Sequence, residues 1–307
     1  MPHDGTEQQQ QHPAPKEDFN SLTSAMMADE KALATVKDLV PTFKTKEEER
    51  EYLKHRLAQA FRIFGHLGYD EGVAGHITLR DPVDPHTFWV NPFGRHFTRI
   101  RAQDLLHVDH SGKILEDSGP ERFLNRAAFM IHSEVHKKRP DVLCAAHSHS
   151  VHGRAFSTLG IELDMLTQDS CAFYQDHVVY TQFRGVVLDE EEGIAIAAAL
   201  GNKKAAILQN HGLLIATDSI EATIFFYKSL EKSCQVQLMA DAAAQGRGIK
   251  AVRIDEADAL NTYKTVGSLS GGFYSGLPEF QALEVREALL PVELRYAAPK
   301  YWKRASD

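Results

Sequence analysis

The sequence predicts a single α/β domain over residues 45–245 with a tail on each side. Three observations carry this. Amphipathic stretches at helical spacing alternate with short apolar runs of strand length, so neither an all-helical nor an all-β chain fits. From Gly75 onward several apolar runs are separated by short turns, which favours antiparallel pairing. The flanks, 1–43 and 246–307, are polar and irregular apart from the apolar run Phe280–Leu290. The first flank holds Gln8–Gln11 and reads as a disordered tail; the second reads as an extension.

In order, Thr45 and Glu48 have the spacing of a capping box. Leu53, Leu57, Phe61 and Phe64 then recur on one face of a helix that Gly68 can end, and the Lys46–Arg50 charges form its solvated side. Gly75–Arg80 opens the β-rich region, and His86–Val90 is a strand. Leu105–Val108 and Lys113–Leu115 flank the turn at His110–Gly112. Pro120 suits the first turn of a helix running to Lys138, and Pro140 stops it. Val142–Ala146 is a buried strand, Val151–Leu159 a short helix, Cys171–Tyr180 a strand and Glu190–Leu200 a helix ended by Gly201. Ala205–Leu208 and Leu213–Ala216 are strands, and Asp218 or Ser219 caps a long helix from Ile220 to about Ala244.

Composition bounds the function. The 307 residues carry a net charge of -8, which argues against a nucleic-acid partner. No apolar run reaches the roughly 18 residues of a membrane span, and the first residues lack the apolar core of a signal peptide. The three cysteines, Cys144, Cys171 and Cys234, are too few and too scattered for a disulfide framework, so a cytoplasmic location is expected.

The chemistry centres on Cys144-Ala-Ala-His-Ser-His-Ser150. In extended chain, residues i and i+2 face the same side, so His147 and His149 can meet one metal ion. His211, in the turn Gln209-Asn-His-Gly-Leu213, is a third candidate. Three neutral imidazoles with a position left open make a catalytic rather than a closed structural site. Among 16 histidines a lone His-x-His also fits a pair at the core edge or surface.

The ordered set Gly75-x-x-Thr78-x-Arg80, Arg139-Pro-Asp141, His147-Ser-His149 and Asn210-His-Gly212 resembles the class II aldolase and adducin head-domain family over residues 50–245. The resemblance implies a three-layer α/β/α sandwich around a mainly antiparallel sheet. It implies one divalent metal on His147, His149 and His211, with zinc expected and iron(II) the alternative. It also implies a homotetramer with sites between subunits and a small-molecule substrate; charge and hydropathy already speak against nucleic acid and membrane as partners. The aromatic set Phe225, Phe226 and Tyr227 offers apolar surface for such assembly, or fills the core of one chain.

The departures from the family pattern are specific. The family's aldolases place a metal-binding acid/base glutamate 19 residues before the first metal histidine, and here that position is Ala128. Their two phosphate-binding serines match Arg126 and Ala127, and their Gly-Asn-x-Ser asparagine matches His76. Glu134 and Glu121 lie at the wrong helical offsets to stand in. The sequence therefore supports a metal-dependent lyase for a hydroxy- or keto-carbonyl substrate that is not a sugar phosphate, with Arg126 and His76 as substrate-binding candidates. The alternatives are an iron(II) oxygenase or decarboxylase and a non-enzymatic adducin-like scaffold. The proton-transfer group is open among His76, His132, His136, His152, His177 and Tyr174.

Overall fold

A computed structural model describes residues 39–183, 185 and 190–290, without the side chains of Ala127, Ala128 and Glu190. The tail expected at 1–43 therefore lies almost wholly outside the described residues. The elements are α1 (Lys46–Leu67), β1 (His76–Arg80), β2 (Thr87–Val90), β3 (Leu106–Asp109), α2 (Arg126–Lys138), β4 (Cys144–Ser148) and α3 (Val151–Ser157). They continue with β5 (His177–Tyr180), α4 (Glu190–Leu200), β6 (Ala205–Leu208), β7 (Gly212–Thr217), α5 (Ile220–Gly246), α6 (Glu256–Val266) and α7 (Leu269–Ala288).

The strands form one sheet in the order β3-β2-β1-β4-β7-β6-β5. Every pairing is antiparallel except β5 with β6. Side-chain alternation sorts the central strands onto two cores. Ile77, Leu79, Cys144, Ala146, Ala205, Ile207, Leu213 and Ile215 pack with α1, α5 and α7. Ala145, Ala206, Leu208, Leu214 and Ala216 pack with α2 and α4. A sheet buried on both faces needs apolar residues at successive positions, which is why β6 and β7 read as unbroken apolar runs. The result is a three-layer α/β/α sandwich around a mainly antiparallel sheet.

The helix ends follow the sequence signals with one difference. Thr45 Oγ1 accepts the Glu48 N–H at 3.2 Å, but the Glu48 carboxylate accepts from Lys44 N–H rather than closing a capping box. Gly68 ends α1 with φ +74°, a left-handed value that suits glycine. Ser219, rather than Asp218, caps α5 by accepting the Ala222 N–H.

Several expectations need correction. The strand expected at Val142–Ala146 runs from Cys144 to Ser148, so it contains His147. The helix expected from Pro120 starts at Arg126. Cys171–Tyr180 is a 3-10 turn at Ser170–Phe173 followed by the short β5, with Gln175 at φ +54° breaking the extension. Lys113–Leu115 contributes only an isolated bridge between Val108 and Ile114. Phe226 and Tyr227 are wholly buried within the one chain, so they supply no surface for assembly. Residues 246–290 are not irregular: α6 and α7 form there, and Phe280 and Leu283 join the core shared with α1 and α5.

Candidate metal centre

The centre lies where β4, the turn before β7 and the start of β1 meet. Ala145 faces α2 and α4, so His147 two residues on does too, while Ser148 turns back towards α5. The β6–β7 hairpin closes through Gln209-Asn-His211, and Asn210 takes φ +58°, a left-handed value that asparagine tolerates. That turn lays His211 beside the end of β4. A Cβ on Gly212 would stand 2.6 Å from the Ser148 carbonyl oxygen and 3.3 Å from His147 Cε1, so glycine allows the two strands this approach.

The three expected histidines converge. Ring centroids of His147, His149 and His211 are 4.6 to 5.1 Å apart, and one ligating atom from each lies within 4.8 Å of the others. The Leu213 carbonyl lies 2.8 Å from His147 Nδ1. A carbonyl only accepts, so Nδ1 carries the proton and Nε2 keeps its lone pair. Burial pushes the His147 imidazole well below its usual pKa and holds His211 near 4; His149 is lowered in the same way. All three are neutral at pH 7, as metal ligation requires. Donor type, spacing and the fixed His147 tautomer fit a divalent transition ion.

The histidines open into a cavity of about 490 Å³ lined by Val73, Phe93, Ile131 and Phe183 among others. None of the described lining residues is acidic. His76, paired across the strands with His147, lines this cavity, and neither of its buried nitrogens has a hydrogen-bond partner. Its ring lies 4.2 Å from that of His132. Thr78 Oγ1 then joins His132 Nδ1 at 2.7 Å to His136 Nε2 at 2.8 Å. Burial lowers all three of these histidines well below their usual range.

The other candidates separate cleanly. His177 donates Nδ1–H to the Phe173 carbonyl and accepts the Leu163 N–H at Nε2, so it is structural. Tyr174 pairs with Gln175, and His152 is held by Glu231. Glu134 pairs with Lys137, and Glu121 with Arg95. Arg126 is exposed at the start of α2 and does not line the cavity. The expectation at Ala128 concerns a side chain outside the described residues. Sequence reasoning missed Asn125 and Arg154, both of which line the cavity. Arg154 pairs with Glu71 at 2.8 Å. The available signal was position: the chain after His149 turns back over the site at once, so the first turns of α3 face it.

Residues 55–238 match the family described as Class II Aldolase and Adducin N-terminal domain. The chain belongs to this family. The decarboxylase NovR of Streptomyces niveus is 44% identical over 248 residues, covering 80% of this chain and 89% of that protein. The 4-hydroxy-3-prenylphenylpyruvate oxygenase/4-hydroxy-3-prenylbenzoate synthase of Streptomyces roseochromogenus subsp. oscitans is 43% identical over 212 residues, covering 69% of this chain and 76% of that protein. Among solved structures, the L-fuculose 1-phosphate aldolase from Glaciozyma antarctica PI12 is similar with a TM-score of 0.77 and 43% identity, covering 86% of this chain and 99% of that one. Class II aldolases generally depend on a divalent metal.

Proposed function

We propose that the chain is a metal-dependent carbon–carbon lyase for small 2-hydroxy- or 2-keto-carboxylates bearing an apolar or aromatic group. The observation that carries this is the neutral three-histidine cluster opening into a largely apolar cavity with no acidic residue in its described lining. His147, His149 and His211 would hold the ion, zinc first and iron(II) as the alternative, and it would supply a Lewis acid for the substrate carbonyl. Val73, Phe93, Ile131 and Phe183 would seat the apolar group and exclude water. Arg154 would pair with the carboxylate, exchanging its Glu71 partner for it. Arg126, next to the lining residue Asn125, would meet any anionic part that projects from the mouth. His76, which lines the cavity and whose two nitrogens are buried without a hydrogen-bond partner, would take a proton from the substrate or return one once the substrate reaches it. We further propose that the protein is cytoplasmic and a homotetramer; the assembly is supported by Val73 and Phe183, apolar yet each 53% exposed at the cavity.

Two other readings have support. The names of the two Streptomyces relatives favour a decarboxylase or an oxygenase, for which iron(II) would be the ion. The name of the Glaciozyma structure favours sugar-phosphate cleavage. A pure scaffold has less support, because all three histidines are kept and converge. The test is an assay of anaerobically purified protein, loaded with zinc or iron(II), on aryl 2-hydroxy and 2-keto acids and on sugar phosphates, with and without dioxygen. The triple variant Arg126→Ser, Ala127→Ser, Ala128→Glu is assayed beside it. The expected result is acid cleavage by the wild type, with sugar-phosphate cleavage appearing only in the triple variant. Robust sugar-phosphate cleavage by the wild type contradicts the proposal, and strict dependence on iron and dioxygen selects the oxygenase.

A further inference from the structure

The segment that carries the metal histidines is gripped from the reverse side of the sheet. Tyr227 and Glu231 stand four residues apart on α5, hence on one face of it. That face lies against Ser148–Gly153. Tyr227 Oη meets the Ser148 carbonyl at 3.0 Å, Ser148 Oγ at 2.7 Å and Ser150 Oγ at 3.2 Å. Glu231 is 4% exposed, and both its oxygens are filled. Oε2 accepts from Ser150 Oγ at 2.5 Å and from the Gly153 N–H at 2.6 Å. Oε1 accepts from the His152 N–H at 2.9 Å and lies 3.0 Å from His152 Nδ1.

The pattern leaves out His149 and the exposed Val151. Ser148, Ser150, His152 and Gly153 are all tied to α5, while His149 between them points the other way, towards His147 and His211. A histidine beyond the end of a strand has no ladder to fix its backbone, since the β4–β7 register ends at Ser148. We infer that Glu231, assisted by Tyr227, is a positioning residue that aims His149 at the metal by clamping the backbone on both sides of it. A buried carboxylate with four donors around it is a one-sided arrangement. A glutamine there would set an NH2 group against an N–H, so the clamp depends on the acid rather than on the shape of the side chain.

This inference rests on the metal reading above, and its test separates the two. Wild type, Glu231→Gln, Tyr227→Phe and a control, Phe280→Leu, are stripped and titrated with cobalt(II) alone, following the visible bands of the ion. Folding is checked by near-UV circular dichroism at the same temperature. Phe280 is a core residue of α7, so its change loosens the same helical layer without removing a contact to 148–153. The expected result is a 10–100-fold weaker cobalt affinity in Glu231→Gln, as found for partners that orient metal ligands. Tyr227→Phe should show a smaller loss and Phe280→Leu none. If Glu231→Gln does not fold, Tyr227→Phe against Phe280→Leu decides the question. Wild-type affinity in a folded Glu231→Gln, or an equal loss in Phe280→Leu, overturns the clamp while leaving the metal site standing. A wild type that binds no cobalt overturns both.

Discussion

Single side chains decide whether the centre can form. Gly212 is the clearest case: a methyl there meets the Ser148 carbonyl at 2.6 Å, closer than real Cβ atoms come. Gly212→Ala should cost about 1–3 kcal/mol, the usual range for overpacking. It should also lower metal content by pushing β4 and β7 apart. Urea unfolding and metal analysis of the variant check both, and unchanged values would contradict the reading of this contact. Arg154 and Arg126 make a paired prediction. Arg154→Met should raise KM for a carboxylate substrate by up to about fivefold, the worth of one ion pair in a partly exposed site, while Arg126→Met should change it little. Steady-state kinetics on both variants decide which cation meets the substrate. At this scale His147 and His149 were legible from their i, i+2 spacing at a strand end, and His211 from its turn between two apolar runs. Arg154, Asn125 and Glu231 were not. Asn125 reaches the site from the chain just before α2, Arg154 from the helix after β4 and Glu231 through the packing of α5, and none of these leaves a spacing signal, although Arg154 follows His149 closely in the chain.

Elements explain the largest misreading. The stretch Leu269-Ser-Gly-Gly-Phe-Tyr-Ser-Gly-Leu-Pro278 looks like loop, since glycine and proline disfavour helix interiors. It is the first half of α7. A Cβ on Gly272 would lie 2.3 Å from a ring atom of Phe226, and one on Gly276 would lie 2.3 Å from the Glu221 carbonyl oxygen. Here glycine permits close packing of α7 on α5, and tertiary burial overrides propensity. Phe280 caps the contact beneath the Arg56 guanidinium, 3.9 Å from the ring centre. Phe280→Ala should therefore cost about 3–5 kcal/mol, measured by chemical unfolding; a cost under about 1 kcal/mol would mean that α7 is dispensable. The helices read correctly, α1, α4 and α5, have either a clean apolar stripe or a cap at one end.

On α1, His55 is buried, and burial with Arg62 and Arg56 nearby lowers its pKa to about 4 from an ordinary 6.5. Below pH 6.5 the unfolded chain takes up a proton there that the fold refuses until about pH 4. Stability contributed by the neutral ring is thus present above 6.5 and lost as pH falls through that window. At pH 5 the loss from this residue should be about 2 kcal/mol. The fall in unfolding free energy between pH 7 and pH 5 should be smaller in His55→Gln by about that amount; equal falls would assign the pH dependence elsewhere.

For the whole molecule, α1, α5 and α7 on one face and α2 and α4 on the other leave the cavity open at the β4 and β7 ends. No helix among the described residues is long and apolar enough to cross a membrane. Light scattering should report four chains at micromolar concentration, and a single chain's mass would rule out the proposed tetramer. The α/β class and the antiparallel bias were readable from period and turn spacing. The layering came from family resemblance, because strands buried on both faces do not say which helix covers which side. The central claim is that His147, His149 and His211 hold one divalent transition ion. Its most direct measurement is metal content by plasma mass spectrometry on purified wild type and on the three single alanine variants. The account predicts close to one zinc or iron per wild-type chain and well below one in every variant; full occupancy in folded His211→Ala would contradict it.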